Sequence, residues 1–120
     1  MVLADTSVWI GHFRHSDPRL ARALVLGQVS MHPMVIGELA TGHLKNRARV
    51  LTDLKALPRA REATFEECLH LIEVQKLSGK GLGWNDVQLL ASARIERLPL
   101  WTLDKALQQA AKVLGLEFKD

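Results

Sequence analysis

Val2-Leu3-Ala4-Asp5-Thr6-Ser7-Val8-Trp9-Ile10 is the stretch that decides the fold. Its first three residues make a short buried-strand candidate, and Asp5, Thr6 and Ser7 are the residue types that open a helix by accepting its first unpaired N–H groups. The helix behind them carries Val8, Trp9, Ile10 and Phe13. A strand that passes straight into a helix through a carboxylate is the opening unit of an α/β protein. It sets Asp5 at the carboxyl end of the strand, the edge where open parallel sheets bind ligands.

Outward from that stretch the pattern repeats. Asp17-Pro18 pairs a capping side chain with proline at the first helical position, and the helix after it uses Leu20, Ala23, Leu24 and Val25 until Gly27 ends it. Gln28 to His32 reads as a second strand. Pro33 then opens a helix in which Val35, Ile36, Leu39 and Ala40 surround Glu38, with Gly42 as the stop. Lys45 to Leu57 is amphipathic, with Val50, Leu51, Leu54 and Leu57 at three-to-four spacing. Arg59 to Ala63 is a short strand candidate. Thr64 caps a helix bearing Phe65, Cys68, Leu69, Ile72 and Leu77, which runs to the Gly79–Gly83 turn. Trp84-Asn85-Asp86 opens the next helix, Pro99-Leu100-Trp101-Thr102 reads as a buried strand, and Asp104 caps a last helix that Gly115 closes. Leu116-Glu117-Phe118 is a final edge-strand candidate. Alternating strands and helices predict an α/β fold in which a short central parallel sheet is flanked by helices.

The chain has 120 residues, enough for one domain over residues 1–120 that buries roughly two thirds of its unfolded surface. An apolar share of 48% beside a charged share of 24% is ordinary for a folded domain. The start of the chain lacks a signal-peptide pattern and no apolar run approaches the roughly 18 residues of a membrane span, so the expected compartment is the cytoplasm, with no membrane partner. Cys68 stands alone, which excludes an intramolecular disulfide and argues against a structural zinc site. The net charge of +3 suits an anionic partner, and the cations are clustered: Arg14, His15, Arg19 and Arg22; Lys45, Arg47 and Arg49; Arg59 and Arg61. The stretches Arg14–Arg22 and Lys45–Arg49 are candidates for gripping a nucleic-acid backbone, and as readily solvated helix faces.

Four acids, Asp5, Glu38, Asp86 and Asp104, carry the chemistry. Any one aspartate at a helix start is explained by capping, which stabilises by about 1 kcal/mol, and Asp17 is read that way. Capping does not require convergence. Asp5 and Asp104 follow strands and should face one edge of a parallel sheet; Asp86 opens a helix that could start at the same edge, and Glu38, one turn into another helix, could lean toward the same cavity. Carboxylates gathered there repel one another unless a cation neutralises them, and an all-oxygen donor set selects a hard ion, Mg²⁺ or Mn²⁺. The five histidines form no HExxH motif, and Lys80 is not followed by Ser or Thr as a phosphate-binding loop requires.

Taken together, Leu3-Ala4-Asp5-Thr6-Ser7-Val8-Trp9-Ile10, Val35-Ile36-Gly37-Glu38-Leu39, Asn85-Asp86-Val87-Gln88-Leu89-Leu90-Ala91-Ser92-Ala93 and Trp101-Thr102-Leu103-Asp104 resemble the four acidic motifs of PIN-domain ribonucleases. More narrowly, the chain resembles the VapC toxins of bacterial type II toxin–antitoxin modules, in order and over essentially its whole length. The resemblance implies a PIN-like three-layer sandwich and a Mg²⁺-binding catalytic quartet of Asp5, Glu38, Asp86 and Asp104. Thr6 or Ser7, and Thr102, would orient the acids, and Asn85 could share the role of Asp86. It also implies endonucleolytic cleavage of structured RNA to a 3′-hydroxyl and a 5′-phosphate, pairing as a homodimer, and a cognate antitoxin whose C-terminal segment occupies the groove by the site.

Rival classes fit less well. A haloacid-dehalogenase-type phosphotransferase needs a second aspartate where Ser7 stands, and a receiver domain needs an acidic pair before its phosphorylated aspartate. The remaining alternative is a non-catalytic module of the same fold that binds RNA or protein.

Overall fold

The computed structural model describes residues 1–119, so Asp120 lies outside the described residues. Three strands, β1 (Val2–Ala4), β2 (Val29–Ser30) and β3 (Leu100–Trp101), form a parallel sheet in the order β2-β1-β3. Val2 pairs with Val29, Leu3 with both Ser30 and Leu100, and Ala4 with Trp101. All three strands are buried, as the unbroken apolar run of β1 predicts for a strand covered on both faces.

The helices are α1 (Thr6–His15), α2 (Pro18–Val25), α3 (Pro33–Thr41), α4 (Arg47–Lys55), α5 (Phe65–Gln75), α6 (Trp84–Glu96) and α7 (Lys105–Val113). They flank the sheet as an α/β sandwich: α2 rests on β2, α6 and α7 on β3, and the pairs α1–α3, α3–α4 and α5–α6 pack together. Leu3, Leu20, Met31, Val35, Leu90, Leu100 and Leu107 are fully buried at the centre. Each such side chain contributes roughly 1.5–3 kcal/mol through burial. No helix among the described residues is long and apolar enough to cross a membrane.

Capping chemistry sets most helix starts. Asp5, Asp17, Thr64 and Asp104 each accept a backbone N–H from the first turn of α1, α2, α5 and α7. Thr64 and Glu67 complete a reciprocal box, with bonds of 2.8 and 3.1 Å. Gly27, at φ 67°, takes the left-handed conformation that lets the chain leave α2 for β2. At α3 the cap is an unexpected residue, His32, whose Nδ1 accepts the Met34 N–H at 3.0 Å.

Several expectations need correction. The strand candidates at 59–63 and 116–118 shrink to single bridges, Met31 with Arg59 and Leu100 with Glu117. In the first, only Ala60 is fully buried while Arg59, Arg61 and Glu62 face water, so nothing holds a longer ladder in place. In the second, Phe118 stacks on Trp101 at 4.4 Å instead of extending the sheet. The helix expected from Lys45 begins at Arg47, behind a left-handed Asn46 with no side-chain cap. Leu77 is buried but lies past the end of α5, which a left-handed Lys76 terminates. Val25, expected inward, is 87% exposed. Ile10 and Phe13 also reach solvent, at 38% and 41%, and so does Trp84, at 42%, beside Phe65.

Candidate active site

Because β1 and β3 are parallel neighbours, their carboxyl ends deliver Asp5 and the Thr102–Asp104 segment to one place. The Asp5 N–H bonds the Trp101 carbonyl at 2.9 Å, carrying the ladder one step past the strand. Asp5 is 6% exposed. Its Oδ1 accepts the Ser7 hydroxyl at 2.5 Å and the Val8 N–H at 3.2 Å, and its Oδ2 accepts the Thr102 hydroxyl. The Thr102 oxygen in turn accepts the Asp104 N–H at 3.0 Å, and the Ser7 oxygen accepts the Leu103 N–H at 3.0 Å. Two hydroxyl groups therefore tie the ends of β1 and β3 together. Burial pushes the Asp5 carboxyl above its usual range, and the donors from Ser7, Thr102 and Val8 pull it only part of the way back.

Glu38 arrives from α3 and is aimed by two donors. Its Oε1 accepts the Thr6 hydroxyl at 2.6 Å and its Oε2 accepts the Asn85 amide at 3.2 Å. Thr6 directly follows Asp5, so the start of α1 carries one carboxylate and holds the other by a hydrogen bond. Asp86 sits beside Asn85 in the first turn of α6, but its Oδ2 turns back to the Gly83 N–H at 2.9 Å. Asp104 is exposed and caps α7, its Oδ2 accepting the Leu107 N–H at 2.9 Å.

Among the described residues no ion pair involves the four acids; Arg19–Asp17, Arg49–Asp53 and Arg61–Glu67 pair elsewhere. Their donor chemistry, carboxylate oxygens alone, fits a hard divalent cation. Among the described residues, however, no three His, Cys, Asp or Glu side chains stand close enough to share one ion. Hydroxyl, side-chain amide and backbone N–H donors bond the carboxylate oxygens of the four acids, and such an oxygen can accept a further ligand through its second lone pair.

The basic candidates divide by position. Arg14 and Lys45 line a hollow of about 510 Å³ that Glu38 also lines. Arg47 donates to the Gly42 and Ala40 carbonyls at the end of α3. Arg19 pairs with Asp17 at 3.2 Å and lies over the Trp101 ring at 4.9 Å, and Arg49 faces Asp53 at 3.9 Å. Arg22 lines a separate hollow with Met1, Gln28 and Phe118. One supporting residue escaped the sequence reading: Gln108, whose amide donates to the Thr102 carbonyl at 3.0 Å. Its spacing of four from Asp104 puts both on one face of α7, which was the available signal.

A family model for the PIN domain matches residues 2–113. Ribonuclease VapC32 of Mycobacterium tuberculosis, in strains CDC 1551 / Oshkosh and ATCC 25618 / H37Rv, is 43% identical to this chain over 117 residues, covering 97% of this chain and 94% of the relative. The chain belongs to the PIN-domain family, and within it to the VapC type.

Proposed function

We propose that this PIN-domain protein of the VapC type is a ribonuclease toxin that hydrolyses phosphodiester bonds in structured RNA with a divalent cation held by Asp5, Glu38, Asp86 and Asp104. The observation that carries the reading is Asp5, a carboxylate buried at the joined ends of two parallel strands and paired with no basic side chain among the described residues. Burial without a counter-charge is costly, and a site that keeps such a group is a candidate for cation binding. When bound, Mg²⁺ or Mn²⁺ supplies a Lewis acid that lowers the pKa of water and offsets charge building on the phosphate.

The chain's own residues supply position. Ser7 and Thr102 fix both oxygens of Asp5, Thr102 also holds the Asp104 backbone, and Thr6 and Asn85 hold the two oxygens of Glu38. Outer hydrogen bonds of this kind typically contribute about 10–100-fold in cation affinity or activity. Toxin action implies a cognate antitoxin and a cytoplasmic substrate, and we take the working unit to be a homodimer, as in the resembling family. The products are a 3′-hydroxyl and a 5′-phosphate.

A second reading, a non-catalytic module of the same fold that binds RNA or protein, draws support from the absence of a ready three-ligand cluster among the described residues. One assay separates the two. Purified free of any partner, the protein cuts total RNA in Mg²⁺ and stops in chelator, and Asp5→Asn does not cut. Wild type that binds RNA without cutting it assigns the non-catalytic role, and an Asn variant that cuts as well as wild type removes Asp5 from the chemistry.

A further inference from the structure

Thr102 is the residue through which β3 reaches the carboxylate edge, and its hydroxyl and carbonyl are both engaged there. The hydroxyl donates to Asp5 Oδ2 and accepts the Asp104 N–H at 3.0 Å. The carbonyl accepts the Gln108 side-chain amide at 3.0 Å. Along β3 successive carbonyls point to opposite sides. Pro99 and Trp101 turn theirs to β1, where the Leu3 and Asp5 N–H groups donate at 2.9 Å each, and Leu100 turns its own to the Phe118 N–H at 3.4 Å. The Thr102 carbonyl continues the Leu100 row. No backbone N–H of the described residues extends that row to Thr102, and the Gln108 amide takes its place.

Gln108 also closes the turn through its backbone, whose N–H donates to the Asp104 carbonyl at 2.9 Å. Thr102 and Gln108 thus grip the Asp104 backbone from both sides and are bonded to each other. We propose that Gln108 is a positioning residue of the carboxylate edge: by holding the Thr102 carbonyl it fixes the turn between β3 and α7, and with it the spacing of Asp5 and Asp104 for a divalent cation. The inference rests on the cation-dependent ribonuclease reading and adds a residue that gives the site no ligand atom. The Gln108 amide bonds neither carboxylate, so it acts through Thr102. Because the Thr102 hydroxyl bonds both the Asp5 side chain and the Asp104 backbone, a turn of its peptide moves the two acids relative to each other. Gln108 is exposed, so its side chain is held there by this bond and not by burial.

The test compares wild type with Gln108→Leu, which keeps the bulk and removes the donor, and with Gln108→His, whose ring N–H restores a donor above the imidazole titration range. Mn²⁺ affinity, read by isothermal calorimetry, falls about tenfold in Gln108→Leu and returns toward wild type in Gln108→His. Melting temperatures without metal stay within about 4 °C of wild type, since one hydrogen bond at an exposed side chain is lost. In the metal-free proteins the Asp104 amide exchanges its hydrogen about fivefold faster in Gln108→Leu, while the Leu3 amide keeps its rate. Equal Mn²⁺ affinity in wild type and Gln108→Leu overturns the proposal and leaves the cation reading standing. So does a loss of affinity that Gln108→His fails to restore, because the missing donor is then not its cause. Wild type that binds no Mn²⁺ refutes the cation reading instead. The Asp104 exchange rate then decides the clamp: faster exchange in Gln108→Leu keeps it, and equal rates overturn it.

Discussion

The two halves of the carboxylate edge are built differently. Asp5 and Asp104 follow adjacent strands, and backbone pairing plus the Ser7 and Thr102 hydroxyls fix their relation to each other. Glu38 and Asp86 come from helices α3 and α6, and the Asn85 amide of α6 reaches Glu38 at 3.2 Å while Asp86 is turned to its own helix start. A sheet places side chains by register, through many backbone bonds at once. Helices place them by packing, and one or two side-chain bonds then aim each carboxylate, Thr6 and Asn85 for Glu38 and the Gly83 N–H for Asp86. The strand-borne half should therefore lose its geometry only together with stability, and the helix-borne half should be tunable residue by residue.

Asp86→Asn probes the helix-borne half most severely. Its amide oxygen can still accept the Gly83 N–H, so the melting temperature stays within a few degrees while cleavage falls by more than the roughly 100-fold upper range of an outer-shell loss. Full cleavage in that variant would make Asp86 a cap and nothing more. Thr102→Val tests the strand-borne half, removing a donor to Asp5 and an acceptor for the Asp104 N–H. We expect cleavage down about 10–100-fold and stability down by about 1–3 kcal/mol from the unsatisfied buried groups, read by kinetics and by urea unfolding. A loss of activity without loss of stability would break the picture of a register-fixed half. Asn85→Ala leaves the fold intact and frees one Glu38 oxygen, so cation affinity falls about tenfold with melting unchanged; unchanged affinity would show that packing alone aims Glu38.

The smallest effect lies away from the edge, at the start of α3. His32 is buried, and burial holds its imidazole below the ordinary range, against a raising influence from Glu62 and with a lowering one from Arg59. The folded state therefore binds fewer protons than the unfolded chain. Stability is full above the unfolded imidazole pKa of about 6.5 and is lost as pH falls from there through the folded value, because the protonated ring cannot accept the Met34 N–H. His32→Asn keeps a capping acceptor and flattens stability against pH over that window in thermal melts. An unchanged slope would assign the acid sensitivity elsewhere.

Much of the edge was legible from local chemistry. The handovers at Asp5 and Asp104 are strand-then-cap patterns, and both capping bonds are present. The contact between Asn85 and Glu38 was not legible in the same way, because it spans 47 positions and depends on how α3 and α6 approach. Periodicity assigned Ile10, Phe13 and Val25 to the interior by counting apolar spacing, which measures a helix face and not whether another element covers it. Arg47 read as a surface cation, but it donates to the carbonyls that end α3, a role only the turn at Gly42 creates.

Cation binding at this edge, through carboxylates with no basic partner among the described residues, is the proposal on which the ribonuclease reading stands. Titrating Mn²⁺ into the purified protein by isothermal calorimetry, beside Asp5→Asn and Glu38→Gln, tests it directly. Wild type is expected to bind saturably, more tightly as pH rises through the elevated Asp5 titration, with little or no binding to either variant. Heats that are absent in wild type, or equal in all three proteins, would contradict it.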